Sequence, residues 1–114
     1  MDITLYHNPR CSKSRATLAL LEARGVEPRV VLYLEQPPTA DELGATIKKL
    51  GITPWALLRR NEDAFKGLDL TVESSDDDII NAMVTHPVLI ERPIVVAGER
   101  AVIGRPPENV DQLF

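Results

Sequence analysis

Hydrophobic positions along the chain shift between strand-like and helix-like spacing, and the shifts outline its elements. Ile3 to Tyr6 is a short apolar run, stopped by Asn8-Pro9. From Ser12 the spacing becomes helical, with a helix expected over Arg15 to Arg24. Leu18 and Leu21, with Ala16, Ala19 and Ala23, supply its buried stripe, and Gly25 its C-terminal cap. Val30-Val31-Leu32-Tyr33-Leu34 is a run of β-formers apolar on both faces, which predicts a covered central strand. A β-α-β unit follows, with parallel strands and a right-handed crossover.

Pro37-Pro38 closes that region, and Thr39-Ala40-Asp41-Glu42 reads as a capping box opening a helix to about Leu50, before Gly51. Thr53-Pro54 predicts a further helix over Trp55 to Arg60. Asn61 to Ser75 has no clear period. Ser75 then caps a helix through about Thr85, which His86-Pro87 ends. Asp76-Asp77-Asp78 superficially suggests a metal cluster, but carboxylates directly after a Ser cap are what a helix dipole favours at its start. After Arg92-Pro93, Ile94-Val95-Val96 and Ala101-Val102-Ile103 form two short strands. Gly98-Glu99 between them suits a type II′ turn and an antiparallel hairpin. Arg105-Pro106-Pro107 ends the second strand, and Glu108 to Leu113 is a last short helix. This order predicts an α/β chain of thioredoxin-like fold with a mixed sheet. Residues 1–114 form a single domain, with a mainly helical insertion at about 39–91.

Composition narrows the class. One cysteine among 114 residues rules out an internal disulfide, and no Cys/His pair has zinc-site spacing. There is no leader-like start and no apolar segment of membrane-spanning length, so a reducing cytoplasm is the expected location. A net charge of −4 and 4% aromatic residues argue against a nucleic-acid surface. Trp55 reads as a packing aromatic, Met83 as core filler and His86 as a helix-end cap.

Chemistry concentrates at His7-Asn8-Pro9-Arg10-Cys11-Ser12-Lys13-Ser14-Arg15. A lone cysteine is often a small buried hydrophobe. Cys11, however, sits among Pro, Arg, Ser and Lys at a strand-to-helix junction, where unpaired N–H groups and the positive helix end favour a thiolate. Arg10, Lys13 and Arg15 add positive charge nearby. Such surroundings can lower a thiol pKa from about 8.5 to roughly 3.5–7.5, so a reactive thiol is proposed.

Three later arginines lie at the ends of elements. Arg59 ends a helix, Arg92 precedes Pro93 and a strand, and Arg105 follows the last strand. Each alone reads as a solvated surface side chain. Together they can converge on one mouth of the sheet, where guanidinium groups would suit a tetrahedral oxyanion facing a thiolate.

The chain resembles the glutaredoxin-coupled arsenate reductase family. The resemblance rests on Tyr6-His7-Asn8-Pro9 with Cys11 and Ser14-Arg15; Val31-Leu32-Tyr33-Leu34-Glu35 with Pro37-Pro38; Ala56-Leu57-Leu58-Arg59 with Asn61; His86-Pro87 with Leu89-Ile90; Arg92-Pro93-Ile94-Val95-Val96; and Arg105-Pro106. These stretches run in order over nearly the whole chain. The resemblance implies Cys11 as nucleophile and Arg59, Arg92 and Arg105 as oxyanion ligands. It implies that His7 influences Cys11 ionisation, although a strand-end histidine bonded to backbone is an equal reading. It implies a cis Pro93, against an ordinary strand-edge proline. Ser14 takes the place of the second cysteine of a C-x-x-C motif, so this chain cannot close that disulfide on itself.

The implied reaction is arsenate reduction through a Cys11 adduct, with no bound cofactor, glutathione as co-substrate and glutaredoxin as resolving partner. The chain stops at Phe114, where established reductases of this type commonly continue, and Arg10 and Ser12-Lys13 are bulkier than the Ala and Gly-Thr found in some. It therefore resembles a shorter branch. Two alternatives are a glutathione-dependent oxidoreductase acting on mixed disulfides and an Spx-like regulator binding RNA polymerase; Ser14 weakens the second. A tyrosine phosphatase loop would need arginine at Thr17, and no catalytic triad or phosphate-binding glycine loop is present.

Overall fold

A computed structural model describes residues 2–114, which divide into two compact units, residues 2–36 with 92–114 and residues 37–91. The first unit carries a mixed four-stranded sheet in the order β2-β1-β3-β4, with β1 at Ile3–Tyr6, β2 at Arg29–Val31, β3 at Ile94–Ala97 and β4 at Arg100–Ile103. β1 pairs parallel with β2 and antiparallel with β3, and β3 pairs antiparallel with β4. Together with helix α1 (Ser12–Ala23), these make the thioredoxin-like arrangement read from the sequence. The register aligns Leu5 with Val95 and Val95 with Val102. Alternation along β1 turns Ile3 and Leu5 to one face, where they join Leu21, Val95, Ala97, Val110 and Leu113 in the core. α1 and a terminal 3-10 segment, Pro107–Leu113, cover that core.

α1 starts earlier than expected, and its buried side differs. Ser14, Thr17 and Leu21 are buried, whereas Ala16, Ala19 and Ala23 are exposed. Polar side chains tolerate this burial because they are bonded: Thr17 donates to the Lys13 carbonyl at 2.8 Å, and Ser14 is held as described below. Gly25, at φ 77°, ends the helix as expected, with its N–H on the Glu22 carbonyl and the Val26 N–H on that of Leu21, a Schellman closure.

The expected covered strand at Val30 to Leu34 is corrected. β2 is a three-residue edge strand, and Val30 and Leu34 are 42% and 44% exposed. After Val31 the chain turns, with the Glu35 and Gln36 N–H groups both bonding the Leu32 carbonyl. Only Tyr33 of that run is deeply buried. The hairpin matches its reading: Ala97 pairs with Arg100 across Gly98-Glu99, and Gly98 alone has positive φ (61°), as a type II′ turn requires.

The second unit holds α2 (Ala40–Leu50), α3 (Pro54–Leu57), α4 (Asp63–Lys66), α5 (Asp76–Thr85) and a 3-10 turn, Pro87–Leu89. Thr39 and Glu42 close the capping box, and Ser75 accepts from the Asp78 N–H with three aspartates in the first turn of α5. α2 and α3 pack on α5, and Met83 is fully buried. Trp55 lies edge-on to Phe65 at 6.1 Å. The helix expected at Trp55 to Arg60 ends at Leu57, because Leu58 turns extended and bridges Ile90. Arg59 therefore does not end a helix; its N–H bonds the Leu89 carbonyl at 2.7 Å. No described helix is long and apolar enough to cross a membrane.

Candidate active site

The loop from β1 into α1 is organised by Asn8, a residue that sequence reading took only as a strand stop. Its carbonyl accepts from the Cys11 N–H, its Oδ1 accepts from the Arg10 N–H, and its own N–H donates to Ser14 Oγ, all at 3.0 Å. An asparagine that folds its side chain onto the amide two positions ahead makes an Asx turn, and Asn-Pro was the available signal. Arg15 ties the same loop from the helix side, donating from Nη1 to the Pro9 carbonyl at 3.0 Å.

These bonds place Cys11 at the N-cap of α1 with extended backbone, φ −95° and ψ 123°. A neutral thiol is a poor cap, and Cys11 closes no conventional side-chain cap hydrogen bond. The residue is 8% exposed, and that burial pushes its pKa up. Opposing contributions outweigh it: the Ser14 N–H, the Arg92 side chain, the Lys13 N–H and the Arg92 charge all favour thiolate, so the pKa lies below that of an ordinary cysteine. The sulfur is buried but not sealed in hydrocarbon.

Two of the three arginines meet it. Arg105 Nη2 is 3.5 Å from Cys11 Sγ, and Arg105 Nε donates to the Arg92 carbonyl at 2.7 Å. Asn109 Nδ2 holds the Arg105 and Ile103 carbonyls at 3.0 Å, a support the sequence did not announce. Both the Arg92–Pro93 and Arg105–Pro106 peptide bonds are cis. Gly104 joins this end of the sheet to α1: its N–H bonds the Pro93 carbonyl at 2.9 Å, and a Cβ there would lie 2.8 Å from Pro93 Cγ and against Thr17. The cations at the sulfur are thus Arg92 and Arg105, both far along the chain. Arg10 and Lys13 are exposed, and the Arg15 charge acts on His7.

His7 is 6% exposed, and its Nδ1 lies 2.5 Å from Ser14 Oγ, so its side-chain partner is a side chain, not backbone. Burial and then the Arg15 charge lower its pKa, which favours the neutral ring. Ser14 Oγ already accepts from the Asn8 N–H. With one proton and a second lone pair, Ser14 Oγ can donate to a bare His7 Nδ1 or accept from Nδ1–H, so the contact serves either neutral tautomer. A cleft beside this loop is lined by residues 7–10 with Leu32, Leu34 and Glu35.

Arg59 belongs to the second unit. There its Nε bonds Glu62 Oε1 at 3.1 Å and its Nη1 bonds Glu91 Oε1 at 2.6 Å. No group of three or more His, Cys, Asp or Glu suited to a metal occurs among the described residues.

The arrangement offers a nucleophilic sulfur beside donors for an anion, and known proteins share its sequence. A protein named YfgD from Escherichia coli K12 is 54% identical over 111 residues, covering 96% of this chain and 93% of that protein. An arsenate reductase from Haemophilus influenzae is 46% identical and covers 100% of both chains. The solved arsenate reductase from Vibrio cholerae superposes with a TM-score of 0.96 at 47% identity, covering 100% of this chain and 98% of that one. The sequence pattern of the ArsC family matches residues 6–113, and the chain belongs to that family.

Proposed function

We propose that the chain is an arsenate reductase in which Cys11 is the nucleophile and Arg59, Arg92 and Arg105 bind the oxygens of arsenate. The observation that carries this is the Cys11 sulfur at the start of α1 with Arg105 Nη2 at 3.5 Å, its pKa lowered by the nearby Ser14 and Lys13 amides and by Arg92. Relatives bearing the name arsenate reductase over the full length support the substrate. Ser14 and His7 shape the thiolate site, Arg15 pins its loop, and Pro93 sets the Arg92 backbone beside it.

The thiolate attacks arsenic and a protonated oxygen leaves as water, giving an S–As(V) adduct whose oxygens the guanidinium groups neutralise. Glutathione then attacks the Cys11 sulfur. The S–As bond breaks with its electron pair going to arsenic, arsenite leaves, and a Cys11–glutathione disulfide remains. Glutaredoxin takes the glutathionyl group and a second glutathione reduces it, so two thiols supply the two electrons. The chain needs no bound cofactor for this. Dependence on reduced thiols suits a reducing cytoplasm.

Purified protein incubated with arsenate, glutathione and glutaredoxin is expected to produce arsenite, and Cys11→Ser and Arg92→Ala are expected to lose that activity. Vigorous deglutathionylation of protein mixed disulfides without arsenite would overturn the reading in favour of a thiol oxidoreductase. RNA polymerase binding without either activity would favour a regulator.

A further inference from the structure

Arg59 is held on two sides by carboxylates, and the geometry leaves it poorly placed to grip an anion freely. A guanidinium binds a tetrahedral oxyanion best through parallel N–H groups on two of its three nitrogens. Glu62 engages Nε at 3.1 Å and Glu91 engages Nη1 at 2.6 Å. Any pair of nitrogens includes at least one of these two. An oxyanion held through two nitrogens therefore shares at least one of them with a carboxylate and lies close to its negative charge.

The surroundings make the two negative charges count. The Arg59 side chain is 22% exposed and those of Glu62 and Glu91 are 28% exposed, so water screens them only in part. The glutamates also keep the guanidinium firmly protonated: burial opposes its charge, and Glu91 and then Glu62 more than offset that. Arg59 thus remains a cation whose charge is already answered within its own unit.

We propose that Glu62 and Glu91 are specificity-determining residues, forming a carboxylate clamp on Arg59 that competes with the oxyanion and discriminates against higher negative charge. The basis is Coulombic: a fixed carboxylate repels a dianion twice as strongly as a monoanion at the same place. This rests on Arg59 being an oxyanion ligand, as proposed above. Glutamine is nearly isosteric with glutamate and still accepts from Arg59 through its amide oxygen. Glu91→Gln and Glu62→Gln therefore remove charge while keeping the hydrogen bond.

The test measures protection of Cys11 from alkylation at fixed pH and ionic strength. Sulfate serves as a tetrahedral dianion and perchlorate as a tetrahedral monoanion, with wild type, both Glu→Gln variants and Arg59→Ala compared. Sulfate affinity is expected to rise about threefold or more in each Glu→Gln variant, and perchlorate affinity by a smaller factor. Arg59→Ala is expected to weaken both anions. Unchanged or weaker sulfate binding in both Glu→Gln variants, with Arg59→Ala still weakened, overturns the clamp and leaves the arginine's role standing. Equal gains for both anions overturn the charge discrimination. Arg59→Ala without effect, or no protection by either anion, overturns the role of Arg59 and the clamp with it.

Discussion

Ser14 Oγ lies 2.5 Å from His7 Nδ1 and is wholly buried with it, so the position that completes a C-x-x-C motif in other proteins is here a hydroxyl turned onto a histidine. The same oxygen takes the Asn8 N–H, and the Ser14 amide serves the Cys11 sulfur. One residue thus joins the ring, the loop and the thiolate.

Replacing Ser14 with alanine takes the partner from the Asn8 N–H and from His7 Nδ1, both in buried residues. We expect a loss of about 1–3 kcal/mol in urea unfolding. The Cys11 pKa should also change, because the loop that presents it is no longer pinned. Ser14→Thr, which keeps the hydroxyl, should recover part of the stability if the additional methyl is accommodated.

Stability should rise with pH in two separable windows. The folded His7 pKa lies below its unfolded value of about 6.5, so the unfolded chain binds the extra proton between the two. That contribution is fully present above the unfolded value and is lost as pH falls through the folded one. Cys11 has the same sign: its folded pKa is also depressed, and its contribution is present above the unfolded value of about 8.5 and lost as pH falls through the folded value. Denaturation midpoints across pH should show both rises, with His7→Gln flattening only the acidic one and Cys11→Ser only the neutral-to-alkaline one.

Gly104→Ala should destabilise the protein by about 1–3 kcal/mol, since the new methyl meets Pro93 and Thr17 in a packed region. Thr17→Ala in the same chain removes one of the two obstacles. Thermal unfolding of the double variant should show less than the sum of the single losses.

Much of the fold was legible because local signals agreed with the tertiary outcome. The capping box at Thr39 and Glu42, the cap at Ser75 and the Gly98-Glu99 turn each close with the partner their spacing implies. β2 was misread for a physical reason: Val30 to Leu34 has the composition of a covered strand, and only the turn onto the Leu32 carbonyl shortens it. The alanines of α1 suggested a buried stripe because alanine favours helix on either face, whereas Thr17 and Ser14 earn burial through hydrogen bonds invisible in a hydropathy pattern.

At the site, Cys11 was legible from its junction, but the source of its positive charge was not. Neighbouring Arg10 and Lys13 looked responsible, whereas Arg92, 81 positions away, and Arg105 approach the sulfur. Positions at element ends, and then the family resemblance, pointed to Arg92 and Arg105, but their approach to the sulfur depends on a sheet that spacing alone does not specify. The carboxylates on Arg59 were likewise hidden, Glu91 lying 32 positions from it.

The most direct measurement is the pH dependence of Cys11 alkylation in wild type, Arg92→Ala and Arg105→Ala. The account predicts a wild-type midpoint clearly below the value of about 8.5 for a free cysteine, moved upward in both variants. A wild-type midpoint at or above that value, or one indifferent to both arginines, would contradict it.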